Sequence, residues 1–214
     1  MRHVLTMLLV LAAMGCQSPG RSDLAQLDRM KSRSDPRVNA AETISCEARD
    51  LVCVQLLVAR GSACLQLTEE ADRAVARQRR QCALDDFAAA RRQLPDQAPA
   101  EDLRKVLTGL ASAQQIARDN MLDGAAAAAL NADIAATASA LQMVQGGGPS
   151  AAYFTSNFET FMAQRGVMPP AESCRILAVA RSRLPSGSLP PDIAQRVPLL
   201  RTSIDALISN RSCP

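Results

Sequence analysis

Apolar residues recur at helical intervals through most of the chain, and alternation of period two is almost absent. Leu51, Val54, Leu57, Val58 and Leu65 mark a first helix over 44–67. Thr68, with Glu69 and Glu70 behind it, offers a capping signal for a second helix that runs to Leu94 and is stopped by Pro95. Leu103, Val106, Leu107, Leu110, Ala113 and Ala117 mark a third. Leu130, Ile134, Leu141 and Val144 mark a fourth, entered through Gly124 and an alanine run. Gly146-Gly-Gly-Pro149 interrupts the pattern and reads as a hinge between a region at 44–145 and another at 150–214. Beyond it, helices are expected over 151–164, 171–184 and 191–210, with Pro198 splitting or kinking the last. The prediction is an all-α fold of about seven helices, stacked as antiparallel hairpins.

Two stretches stand apart from this periodicity. Arg2 and the eleven-residue, largely apolar stretch Val4–Met14 suit a secretory signal over 1–15, being shorter than the roughly 20 residues a membrane span needs. Residues 16–43 are polar and carry turn formers, so they read as a flexible tether with a root-mean-square span of about 25–30 Å.

Ala13-Met14-Gly15-Cys16 resembles the bacterial lipobox. The resemblance implies cleavage before Cys16, a palmitate-bearing lipid on that cysteine, and membrane attachment through the N-terminal lipid. Gln17, where an Asp would signal retention, implies the outer membrane of a Gram-negative envelope, facing the periplasm. Further on, Ala83-x3-Phe87-x2-Ala90-x4-Pro95 resembles the second helix of a tetratricopeptide repeat (TPR). Ala83 and Ala90 allow close approach, Phe87 fills the gap, and Pro95 ends the unit. Leu57-Val-Ala-Arg-Gly61-Ser-Ala-Cys64 looks like the first helix, with Gly61 at the close-contact position. About ten residues more than the family spacing separate the halves. Leu107-Thr-Gly109-Leu-Ala-Ser112 with Ala125–Leu141 resembles a second unit. The family implies a protein-binding scaffold without catalysis.

Six further cysteines change the picture once export is assumed. Cys46, Cys53, Cys64, Cys82, Cys174 and Cys213 read as up to three disulfides bracing the helices, although each can also serve as a small core residue. A helix over 44–67 holds its three cysteines about 10, 16 and 27 Å apart, which excludes pairing among them. A helix starting only near Asp50 would make Cys46–Cys53 feasible. Cys82 pairs with Cys53 in an even hairpin, or with Cys64 if the extra residues form a loop. Cys174 and Cys213 are the expected C-terminal pair. A cysteine-only zinc site lacks any C-x2-C spacing, so no metal and no cofactor is expected.

Charge and side-chain chemistry narrow the function. The formal balance of +3 falls to +2 when Arg2 is removed, too near neutral for a nucleic-acid partner. The sole histidine, His3, leaves with the signal, taking histidine-dependent triads, dyads and zinc sites with it. No enzyme activity is expected on that ground. Two surfaces are candidates for partner binding. Tyr153, Phe154, Phe158 and Phe161 either pack onto the alanine-rich helices or form an exposed aromatic strip. Arg73, Arg77 and Arg80, beside Arg79, form a basic stripe that is either a solvated face or a docking surface. The functional expectation is an envelope scaffold or assembly factor that binds other envelope proteins. A pilotin-like escort of an outer-membrane secretion or pilus subunit is the alternative, and a carboxylate-dependent envelope hydrolase the third.

Overall fold

The computed structural model describes residues 19–46, 49–166 and 168–213. The expected signal segment and Cys16 lie outside them. The described residues are helical and contain no strand: α1 (Pro19–Ser32), α2 (Pro36–Ala40), α3 (Leu51–Gln66), α4 (Arg73–Gln93), α5 (Ala100–Asp119), α6 (Ala125–Gln142), α7 (Gly148–Gln164), α8 (Pro170–Arg183), α9 (Pro191–Ala194) and α10 (Arg196–Asn210). From α3 to α8 each helix packs on the next in sequence, and α10 packs back on α8. Contacts also join α3 to α5, α5 to α7 and α7 to α10. These four form one layer, and α4, α6 and α8 lie against it as the other.

The polar stretch expected to be a tether is instead folded. Leu27 and Met30 of α1 are each 2 % exposed and pack on Leu56 of α3. Side chains fix the attachment: the Asn39 amide donates to Met30 O at 2.9 Å, and Gln26 Nε2 donates to Thr43 O at 2.9 Å. Ser, Asp and Pro start helices as readily as they form loops, and here they do the former. Asp35 caps α2 by accepting from Arg37 N, with Pro36 at the first helical position.

The same ambiguity moved two helix starts. The helix expected from 44 begins at Leu51, where Asp50 accepts from Cys53 N at 2.8 Å. Cys46 therefore precedes α3, and it pairs with Cys53, at a Cα separation of 5.6 Å. That bridge overturns the exclusion drawn from a longer helix. α4 is capped by Asp72, which accepts from Ala74 N at 2.7 Å and Val75 N at 3.2 Å, rather than by Thr68. The Thr68 hydroxyl donates backwards to Leu65 O, completing the end of α3. The intervening residues form the loop that lets Cys64 meet Cys82. Cys174 and Cys213 close the third bridge, tying α8 to the chain end.

Gly146–Pro149 is a tight turn within one core. A Cβ on Gly147 would lie 2.1 Å from Leu141 O, so only glycine fits that approach. The core continues across it, from Leu107, Leu141 and Val144 to Phe154, Leu177, Ile193 and Ile204. Pro198 sits in the first turn of α10, where its missing N–H is not needed, and the break between α9 and α10 falls at Gln195.

Phe87 of α4 is the principal wedge between layers. It is 1 % exposed, and its ring fills the space beside Gly61 of α3 and Gly109 of α5. A Cβ on Gly109 would lie 2.0 Å from Phe87 Cε1, and one on Gly61 3.0 Å from Cε2. Next to it, Asp86 (2 % exposed) takes a bidentate bond from Arg60, at 2.8 and 2.6 Å. Arg60 also donates to Glu42 O at 2.9 Å, and its carboxylate bond to Asp86 holds its pKa above the ordinary guanidinium value.

Candidate functional site

With α3 and α5 side by side, their outward faces form the walls of a groove. α3 contributes Val58, Ser62 and Leu65, and α5 contributes Glu101, Arg104, Lys105, Thr108, Gly109 and Ser112. Phe87 reaches the floor between the glycines, while Pro191 and Arg196 close one end. The cavity is about 530 Å³. It adjoins a recess of about 230 Å³ between α1, α3 and α5, with which it shares Val58 and Lys105. Val58, Leu65, Phe87 and Pro191 supply the apolar part of its lining, while Val54 and Val106 line the adjoining recess.

The rim is mostly basic. Lys105 pairs with Glu101 at 2.7 Å, and that contact holds the Glu101 carboxyl below its usual range. Arg104 and Arg196 take no carboxylate partner among the described residues. Arg196 donates to Ser112 Oγ at 3.3 Å and lies against Tyr153, whose hydroxyl burial pushes up in pKa. Thr108 Oγ1 is enclosed without a hydrogen-bond partner. Lys31 of α1 reaches across the recess to Gln55 at 3.3 Å. The groove offers donors and apolar surface to a partner.

The aromatic residues are elsewhere. Tyr153 and Phe154 are 7 % and 1 % exposed, packed edge-to-face at 5.1 Å, so half of the expected strip is core. Phe158 and Phe161 are half-buried. Phe161 lies between the guanidinium groups of Arg118 and Arg165, at 5.1 and 5.2 Å from its centroid. The expected strip is therefore divided: Tyr153 and Phe154 are turned inward, while Phe158 and Phe161 stay partly exposed. Arg118 itself is buried. It donates to Asn131 Oδ1 at 2.7 Å, Met121 O at 3.2 Å and Asp123 Oδ1 at 2.5 Å. The Asp123 carboxyl is held below its ordinary pKa by the bond from Arg118, with Arg165 assisting.

The arginine stripe divides. Arg73 and Arg77 are exposed on α4. Arg80 donates to Thr68 O at 3.1 Å and Arg79 to Ala40 O at 3.3 Å, so these two fasten backbone. None of the four lines the groove. Asp86, on the same helix, is buried with Arg60.

Each of the four larger cavities brings a single carboxylate: Glu101, Asp102, Asp119 or Asp205. A facing acid pair of the kind used in glycoside cleavage is not formed in them. Among the described residues there is no cluster of three metal-ligating side chains. None of their helices is long and apolar enough to cross a membrane. The groove residues Ser62, Arg104, Lys105, Thr108 and Arg196 were not singled out by sequence; their only signal was a polar position between core positions on apolar helices. No protein-family model, no curated protein and no solved structure matches the chain.

Proposed function

We propose that this protein is a lipid-anchored envelope scaffold that holds a client protein in the α3/α5 groove. The supporting observation is the groove itself, about 530 Å³ between two parallel-layered helices, with an apolar floor and a donor-rich rim. In this reading α3/α4 and α5/α6 are successive TPR-like hairpins. Gly61 and Gly109 occupy the close-contact positions of their first helices, and Phe87 packs on both. On that reading the first helices, α3 and α5, would line the concave side of the stack.

The address is the outer membrane, by lipid on Cys16. With α1 packed on α3, only residues 17 and 18 separate that lipid from the helical body. At roughly 3.5 Å per residue, the body would sit close to the headgroups rather than at the end of a long tether.

The test places a photo-crosslinking residue at Thr108 in the groove and, separately, at Asp133 on the exposed side of α6. Native envelopes should yield a specific adduct from position 108 and none from 133; equal adducts from both, or none, would remove the groove as the client site. Mass analysis of the intact chain checks the anchor independently, since an unmodified Cys16 would refute it.

A further inference from the structure

The α3/α5 groove is walled by helices, so its length follows from their rise. Its α5 wall runs from Glu101 to Ser112, about 16 Å at 1.5 Å per residue. Its α3 wall runs from Val58 to Leu65, about 10 Å. A space of that length fits an extended run of about five residues, at roughly 3.3 Å each.

Its charges are spaced along that length. Lys105 is neutralised by Glu101 at 2.7 Å, which leaves Arg104 and Arg196 as the cations without a carboxylate bond. Arg104 stands beside the turn at Gly146, where an added Cβ would lie 2.9 Å from its Nη1. Arg196 is held at the level of Ser112, to whose Oγ it donates at 3.3 Å. Residues 104 and 112 are eight apart on α5, and so about 12 Å apart along its axis. Thr108 lies midway, its Oγ1 enclosed without a hydrogen-bond partner, and Val58 and Leu65 offer half-buried apolar surface from the facing wall. A single small anion can satisfy one of these arginines and not both. In an extended chain, residues i, i+2 and i+4 share a side, and i and i+4 are about 13 Å apart. Carboxylates at i and i+4 therefore reach both arginines, while an apolar residue at i+2 meets Val58 and Leu65.

We propose, on the reading that the groove is the client site, that the client segment it holds is extended and acidic, with two Asp or Glu residues four positions apart and an apolar residue between them. Arg104 takes one carboxylate and Arg196 the other by charge-assisted hydrogen bonds. The Thr108 hydroxyl donates to a backbone carbonyl of the segment midway.

The test titrates the full-length protein by calorimetry with three acetylated, amidated peptides, whose only charges are on side chains: Asp-Ala-Leu-Ala-Asp, the neutral Asn-Ala-Leu-Ala-Asn, and Ala-Asp-Leu-Asp-Ala, whose acids are only about 7 Å apart. The first should bind saturably, the second not measurably, and the third at least about tenfold more weakly than the first, as expected for the loss of one charged hydrogen bond. Arg104→Gln, which keeps most of the side-chain stem, should weaken the first peptide at least about tenfold and remove its advantage over the third; Arg196→Gln should do the same from the other end. Arg73→Ala, exposed on α4 and outside the groove, should change nothing. Thermal melting confirms that each variant folds. No saturable binding of the first peptide, equal binding of the first and third, or equal binding by wild type and Arg104→Gln overturns the proposal. A client adduct from position 108 without peptide binding would refute the acid spacing and leave the groove as client site, whereas peptide binding without an adduct would refute the client reading and leave the diacid site.

Discussion

The part of the molecule built by α3, α4 and the start of α5 differs from the part built by α6 to α10 in what fills it. In the first, small residues let backbones approach and one large ring occupies the remaining gap. In the second, a broad apolar core of Leu, Ile, Val and aromatic side chains does the packing, with the buried Arg118 cage at its edge. The first is stapled by two short disulfides and the second by one long one. Close approach concentrates stability on a few positions, whereas a broad core distributes it.

Four measurements break or sharpen that contrast. The largest effect is expected at the wedge. Phe87→Ala should cost about 3–5 kcal/mol in denaturant unfolding. Gly109→Ala alone should destabilise by about 1–3 kcal/mol through overpacking. In the Phe87→Ala background the same change should become neutral or stabilising, because the ring it would strike is gone. Additive costs would show that the two positions are not coupled.

Disulfide removal comes next. By loop-closure entropy, opening Cys174–Cys213, which spans 39 residues, should cost about 4 kcal/mol, and opening Cys46–Cys53, which spans 7, about 2.5 kcal/mol. Calorimetry of paired Cys→Ser variants measures the order, and a reversed order would contradict a staple acting on the unfolded chain.

Asp86→Asn should cost about 3 kcal/mol by leaving Arg60 short of its counter-charge in a mostly enclosed site. Chemical denaturation should place its loss above that of Asp205→Asn, whose ion pair with Arg181 is open to solvent.

The smallest effect is one of pH. Asp123 has a folded pKa below its ordinary value, so its contribution is present above the usual carboxylate pKa, about 3.9, and is lost as pH falls through the lowered value. Melting temperature between pH 6 and pH 3 should therefore drop less in Asp123→Asn than in wild type. An identical drop would show that the carboxylate adds nothing to the α5–α7 junction.

Much of the fold was legible because helical periodicity survives without any alignment of partners. Gly61 and Phe87 were also legible as close-packing positions through their repeat-like spacing, whereas the contact of Gly109 with the same ring was not read. Helix starts were less so: Asp50 and Asp72 cap their helices, but Thr68 offered the same chemistry four residues before Asp72. α1 was missed because two apolar residues, Leu27 and Met30, suffice to dock a helix once Leu56 is there to receive them. The groove was not legible. Arg196 is separated from Ser112 by 84 residues, and no local pattern predicts that meeting.

The disulfide order carries a consequence for how the chain is made. Cys46 bonds Cys53, Cys64 bonds Cys82 and Cys174 bonds Cys213, so each cysteine's partner is the next one along the described chain. An oxidant that joins neighbouring thiols as they emerge one after another would produce this set directly. Of the fifteen arrangements available to six thiols, the native one requires no reshuffling, and oxidative refolding in the absence of an isomerase should reach it.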